Sequence, residues 1–241
     1  MERSVYDRMN DLEARHWWFA ARREVIAALI ERHAQSPDTR ILEAGCGSGG
    51  NLALLGRYGQ VDAFEYDDIA RAHACEKSGL DIRPGALPEA IPFEGKRYDL
   101  IGLFDVLEHV EADQASLAAL ASRLEDGGRL LVTVPALPML WSAHDERHHH
   151  FRRYTRKSLA KAAQAAGLKV TYTSYFNMFL FPLAVAARLA KAITRSNTPD
   201  DALPPRWLNA ALRRVFAAER YLVGRLRLPV GLSLVAVLEK A

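Results

Sequence analysis

Three clusters in this 241-residue chain combine residue types and spacings suited to chemistry. The first is Ile41-Leu42-Glu43-Ala44-Gly45-Cys46-Gly47-Ser48-Gly49-Gly50. Glycines at such spacing allow a tight turn and let a ligand touch the backbone. A helix opening behind them offers free N–H groups. About twenty residues on, Glu65 supplies a carboxylate able to accept both ribose hydroxyls of an adenosine. Gly45, Gly47 and Gly50 satisfy the dinucleotide spacing G-x-G-x-x-G, whereas Gly45, Gly47 and Gly49 behind Glu43 satisfy E-x-G-x-G-x-G. Glu43 favours the second reading, because a carboxylate at the loop entrance repels a pyrophosphate and attracts a cationic ligand.

The second cluster is Trp141-Ser142-Ala143-His144-Asp145-Glu146-Arg147-His148-His149-His150-Phe151-Arg152-Arg153-Tyr154. Here His144 or His150 can deprotonate an acceptor while Asp145 orients an imidazole. Arg152 and Arg153, beside Tyr154, can hold a phosphate or carboxylate. A plainer reading has the acid and the arginines pairing with each other to pin a long loop. No metal is expected: His144, Asp145, His148 and His150 lack the spacing of a closed zinc site. His109, after a later strand, faces either the acceptor or the helix it caps. The third cluster, His16-Trp17-Trp18-Phe19-Ala20-Ala21-Arg22-Arg23, joins aromatics to two arginines.

Together the motifs resemble the Rossmann-like (class I) S-adenosylmethionine-dependent methyltransferases over approximately residues 10–175 and the final strand. The resemblance implies S-adenosylmethionine as cofactor. It sets Glu43, Gly45, Gly47 and Gly49 near the donor's aminoacyl end, Glu65 on the ribose and Tyr66 against the adenine. Gly85-Ala86-Leu87 resembles the segment lining the adenine; Ala86 stands where the family often has Asp, which leaves the backbone to make that contact. Tyr98-Asp99-Leu100-Ile101 and Phe104-Asp105-Val106-Leu107-Glu108-His109-Val110 resemble the fourth strand and its exit, with Phe104 at the cofactor. Arg23, or its neighbour Arg22, would meet the aminoacyl carboxylate from a helix covering the site. His144, Asp145 and His150 are then the catalytic candidates, and His109, Arg152, Arg153 and Tyr154 the acceptor-binding ones. The implied activity is methyl transfer to a small or lipid-linked acceptor. The alternatives are an NAD(P)-dependent oxidoreductase on the other glycine spacing and a non-catalytic binding module.

Alternating strand-like and helix-like stretches must position these groups. Expected strands are Arg40–Ala44, Gln60–Glu65, Leu80–Arg83, Tyr98–Phe104, Arg129–Val134, Leu168–Tyr175 and Leu232–Leu238. Between them helices are expected from the glycine loop to Arg57, over Ile69–Ser78, Asp113–Glu125 and Ser158–Ala166. An opening helix runs through Ala34 to a break at Ser36-Pro37. This alternation predicts an α/β fold: a doubly wound, mostly parallel seven-stranded sheet, an antiparallel final strand beside the sixth, and a helical insertion before it. The expected organisation is one domain over 1–241, with N-terminal cap helices (1–36), a cofactor-binding core (37–176), the insertion (177–228) and the final strand (229–241).

Composition narrows the class. The chain is 49% hydrophobic and 25% charged, as folded domains are. Cys46 and Cys75 cannot make a disulfide framework. The charged opening residues lack an apolar signal core. The net charge of +3 hides a split: residues 1–176 carry 22 Lys/Arg against 25 Asp/Glu, residues 177–241 carry 10 against 4. Nucleic acid is not an expected partner, for the core is acidic and no such motif occurs. The basic excess lies in the insertion, where Ala202–Arg227 reads as an amphipathic helix with Arg206, Arg213, Arg220 and Arg227 every seven residues. It is readable as a peripheral membrane contact, as a lid over the acceptor, or as a packed layer with a solvated basic face. The implied location is cytoplasmic, with the first reading placing the protein against the inner face of a membrane.

Overall fold

Apolar runs become strands wherever both of their faces find cover. The computed structural model describes residues 12–33, 36, 38–194 and 203–241. Residues 1–11, Pro37 and Ala202, where the cap, its break and the insertion helix are expected, lie outside them. In chain order the elements are α1 (Trp17–His33), β1 (Arg40–Ala44), α2 (Leu52–Leu55), β2 (Gln60–Glu65), α3 (Asp68–Ser78), β3 (Arg83–Pro84), β4 (Tyr98–Phe104) and α4 (Asp113–Ser122). They continue with β5 (Leu124–Pro135), α5 (Ala143–Arg147), α6 (Arg156–Ala165), β6 (Leu168–Phe176), α7 (Phe181–Thr194), α8 (Arg206–Ala217) and β7 (Ser233–Lys240).

The sheet has seven strands in the order β3-β2-β1-β4-β5-β7-β6. The pairs from β3 to β5 are parallel, and β7 runs antiparallel to both β5 and β6. The final strand therefore does lie beside the sixth, but it is also wedged against the fifth. Strand period two splits the interior between two layers. Leu42 and Ile101 face a core shared with α4 and α6, while their neighbours Ile41 and Leu100 face one shared with α1 and α8. The order reverses between β1 and β4, and the loops leaving those two strands diverge there. That opens a crevice at their carboxyl ends.

Some boundaries differ from expectation. The third strand shrinks to Arg83–Pro84, paired with Phe64 and Glu65, because Ile82 is packed against α3's Ala74 in a small apolar cluster. The helix α4 stops at Ser122, since Leu124 is drawn into the sheet opposite Tyr98. The helix behind the glycine loop is only Leu52–Leu55, capped at Gly56. In the insertion the helix runs over Arg206–Ala217 and tightens into a 3-10 turn at Ala218–Tyr221, well short of Arg227.

Among the described residues, the second half of the basic insertion packs on α1. Phe216 is fully buried, stacked on Phe176 and edge-on to Trp17; such burial contributes about 1.5–3 kcal/mol. Arg213 and Arg220 both pair with Glu24 of α1. Half of the seven-residue arginine series thus ties helix to helix. Asn209 accepts from the Trp17 amide at 2.9 Å and donates to the Arg15 carbonyl at 2.9 Å, fixing the start of α1.

Candidate active site

The crevice is a cavity of about 710 Å³ that runs from the glycine loop to the imidazoles of the second cluster. Gly45, Gly47 and Gly49 have φ of +70°, +54° and +81°, a region that L side chains seldom adopt. A Cβ on Gly49 would also press on the α3 backbone, 3.0 Å from Ala74 Cα. The turn is anchored by the Gly45 and Cys46 amides, which both donate to the Phe64 carbonyl, and by the Gly47 amide, which donates to Glu65 Oε2 at 2.7 Å. Glu65 Oε1 accepts from the Asp67 amide at 3.0 Å. Burial raises the pKa of Glu65 against the pull of these amides. Each oxygen keeps a lone pair for a further donor. Tyr66, 79% exposed, stands at the mouth.

Glu43 lies on the floor, 1% exposed. Its Oε1 accepts from Asn51 Nδ2 at 2.7 Å, and its Oε2 has no partner. Burial pushes its pKa up to about 8, against the opposing effects of Asn51 and Arg22. The native state therefore holds a proton that an unfolded chain releases near 4.5. With more protons bound in the native state, stability should fall as pH rises from about 5 to about 8. Denaturant titrations across that range should show the decline in the wild type and a flatter profile in Glu43→Gln. A parallel decline in both would remove Glu43 as its source.

Of the two arginines, Arg22 is built into the cleft. It pairs with Asp105, reaches Asn51 Oδ1 and Thr133 Oγ1 at 3.5 and 3.4 Å, and lies over the rings of Trp18 and Phe104. Arg23 also lines the cavity, with Nη2 on the Glu13 carbonyl at 2.8 Å. Phe104 lies over Gly102, where a Cβ would collide with its ring. Ala86 and Leu87 line the opposite wall, and the Ala86 amide is taken by the Ala90 carbonyl at 2.9 Å.

At the far end a short helix organises the second cluster. Ser142 and Asp145 form the capping box of α5. Asp145 is fully buried; it receives Arg153 at 2.7 and 2.9 Å in a two-point grip, and His150 Nδ1 at 2.9 Å. Burial alone would raise its pKa, but His150 and Arg153 hold it well below the usual carboxylate range. His109 meets His150 edge-on, ring centroids 4.6 Å apart. Burial, followed by the His150 and His148 imidazoles, depresses the pKa of His109 to about 3, so it is neutral. His109 and His150 line the cavity with Glu108, which is 1% exposed. Burial lifts the Glu108 carboxyl well above its ordinary pKa, and Asp105 adds to the rise.

Not every expected site residue reaches the cavity. His144 packs on the lining residue His148, 4.2 Å between centroids, and does not itself line the cavity. Arg153 turns inward to Asp145 and the Ala136 carbonyl. Arg152 pairs with Asp113 and the Glu111 carbonyl. Tyr154 is buried, its hydroxyl on Asp113 at 3.0 Å. These three brace the loop, and none of them lines the cavity, in place of the acceptor contact expected of them. Asp105 and Glu108 are lining groups that the sequence did not single out. Between the two arginines the helix period decides: Arg22, Val25, Ile26, Leu29 and Ile30 share the buried stripe of α1.

A family model described as "Methyltransferase domain" matches residues 18–173. The ubiquinone biosynthesis O-methyltransferase of Xanthomonas campestris pv. campestris (strain B100) is 26% identical over 213 residues, covering 82% of this chain and 83% of that protein. The malonyl-[acyl-carrier protein] O-methyltransferase of Enterobacter lignolyticus is 30% identical, covering 56% of this chain and 57% of that one. An S-adenosylmethionine-dependent methyltransferase structure from Clostridium acetobutylicum superposes with a TM-score of 0.56 at 11% identity, covering 88% of this chain and 89% of that chain. At that identity the likeness concerns the fold.

Proposed function

The chain belongs to the Rossmann-like S-adenosylmethionine-dependent methyltransferases, and from that premise we propose that it methylates a hydroxyl oxygen of a small or lipid-linked acceptor. The family displaces the nicotinamide-dependent and non-catalytic alternatives. One observation carries the reading: a single cavity joins the glycine loop to the His150–Asp145 pair.

The residues present fit the donor. Glu43 keeps a buried carboxylate oxygen without a partner, suited to an ammonium. Glu65 retains lone pairs for a ribose diol, and the Tyr66 ring is exposed at the mouth for adenine. We assign Gly45, Gly47, Ala86, Leu87 and Phe104 to the walls, Gly49 to the support of the turn against Ala74 behind them, and the donor's carboxylate to Arg22 rather than Arg23. When bound, the donor supplies an electrophilic methyl group on a sulfonium. The chain then aligns nucleophile and methyl, the main demand of a direct displacement. With Nδ1–H given to Asp145, His150 presents Nε2 as an acceptor and takes the hydroxyl proton. His109, held neutral, adds no competing charge. Trp18 and Phe19 of α1 give the cavity an aromatic wall beside Arg22.

Residues 37–176 with 229–241 read as the donor-binding core, and α1 with the insertion as its outer layer. A lipid-linked acceptor suits the exposed side of α8, where Trp207 (73% exposed) and Val215 stand among Arg206 and Arg214. No helix among the described residues is long and apolar enough to cross a membrane. The reading therefore places contact at an anionic surface, where Trp and Arg are well suited.

Labelled donor incubated with fractionated lysate tests the reading, with vesicle-bound and free acceptors compared. An O-methylated product is expected, formed on the order of a hundredfold more slowly by His150→Ala. Calorimetric binding of the demethylated donor should be unchanged in that variant. Label on nitrogen or carbon, or an undiminished rate, would overturn the proposal.

A further inference from the structure

Three groups converge at the acceptor end of the cavity. Glu108 and His109 come from the 3-10 turn Leu107–His109 behind β4, and His150 from the loop behind α5. One ligand-capable atom of each lies within 4.8 Å of the other two. Glu108 is buried on every side, and its Oε2 has no hydrogen-bond partner. A carboxyl group so placed stays protonated until something cationic reaches it and takes the proton's place.

Both imidazoles are fixed from behind. His150 spends Nδ1 on Asp145, itself gripped by Arg153, and His109 is hydrogen-bonded to the His148 backbone. A carboxylate or carbonyl behind each histidine is the outer-shell arrangement that orients ligands at metal centres. All three groups line the cavity, so positions on an ion held there would remain open on the acceptor side.

We infer that Glu108, His109 and His150 form a binding site for one divalent transition-metal ion of the zinc, cobalt or manganese kind. Two imidazoles with one carboxylate suit such ions better than calcium or magnesium, which prefer oxygen alone. Tetrahedral ligand atoms about 2.1 Å from a common ion lie roughly 3.4 Å apart, so atoms already within 4.8 Å of one another close by at most about 1.4 Å on loading. The inference rests on the acceptor-pocket reading and deepens it, because an ion there would bind the acceptor's hydroxyl oxygen and acidify it. In loaded protein the His150 Nε2 lone pair sits on the metal, and the hydroxyl proton leaves to water. The oxygen then forms its bond to the methyl carbon as the carbon–sulfur bond breaks and the electron pair returns to sulfur.

Metal-stripped protein titrated with Co²⁺ and followed by visible absorption, with zinc titration by calorimetry alongside, tests the site. One ion per chain is expected, with a spectrum of nitrogen–oxygen coordination. Binding should weaken at least about tenfold in Glu108→Gln and in His109→Ala. Unchanged affinity for the demethylated donor shows that both variants are folded. No stoichiometric binding, or binding indifferent to both substitutions, would overturn the site. Methyl transfer to a hydroxyl that persists in stripped protein would sink the metal's role and leave the proposed function standing. An ion bound through these residues with label transferred only to nitrogen or carbon would do the reverse.

Discussion

Asp145→Ala should cost the fold about 3–5 kcal/mol, the range for removing one partner of a buried ion pair. The carboxylate is fully buried and serves five donors: two from Arg153, one from His150, and the amide and hydroxyl of Ser142. Its loss strands the Arg153 guanidinium, 7% exposed, with only the Ala136 carbonyl for company. It also uncaps α5. Denaturant unfolding reads the cost. Pairing the change with Arg153→Met should recover part of it, because no buried cation is then left unpaired. A loss below about 1 kcal/mol in the single variant would show that the pair is not what holds the loop. The sign of the pH dependence is also set. Because the native carboxyl titrates below its unfolded value, its contribution is complete above about pH 4 and fades as pH falls further. Wild type and variant should converge in acid.

The same substitution separates stability from positioning. His150 owes its tautomer to Asp145, so methyl transfer should slow on the order of a hundredfold in protein that is still folded. Asp145→Asn keeps the shape but offers one acceptor oxygen where two are gripped, and should fall between.

What the sequence made legible was whatever depends on neighbours along the chain. The glycine spacing, Glu43 before it and Glu65 at the next strand's end are local patterns, and the structure brings Glu43, Gly45, Gly47 and Glu65 to one crevice while Gly49 backs the turn against Ala74. The parallel strands read as apolar runs because helices cover both faces. Tertiary competition was not legible. Leu124 looked like the tail of a helix until Tyr98 claimed it for the sheet. The seven-residue arginine series was readable as facing a membrane, an acceptor or solvent, and Glu24, almost two hundred residues earlier, took Arg213 and Arg220. Within the second cluster the sequence offers many polar groups and no direction for any of them. Tyr154 bridges to Ala136, and that pairing carries Arg153 inward to Asp145 while the His148–Phe151 turn stays on the cavity. Glu108 was hidden by its ordinary place in an apolar strand exit; its burial without a partner is a three-dimensional fact.

Glu65→Ala should weaken binding of the demethylated donor by about 1–3 kcal/mol, or roughly 5- to 150-fold, the cost of losing charge-assisted hydrogen bonds. The carboxylate has two tasks that must be told apart, for it also ties the Gly47 and Asp67 amides. If its effect came only through the loop, every ligand would weaken alike. If it holds the ribose, the loss should follow the hydroxyls. Adenosine and the full demethylated donor should then lose equally, whereas a 2′,3′-dideoxy analogue should bind wild type and variant with the same low affinity. Glu43→Gln supplies the opposite pattern, weakening the ligand that carries the ammonium and sparing adenosine. Calorimetry of the three ligands against the two variants closes the cycle. Equal losses for the dideoxy analogue would move Glu65 from ligand contact to loop support, because the amides it ties are then the whole of its contribution.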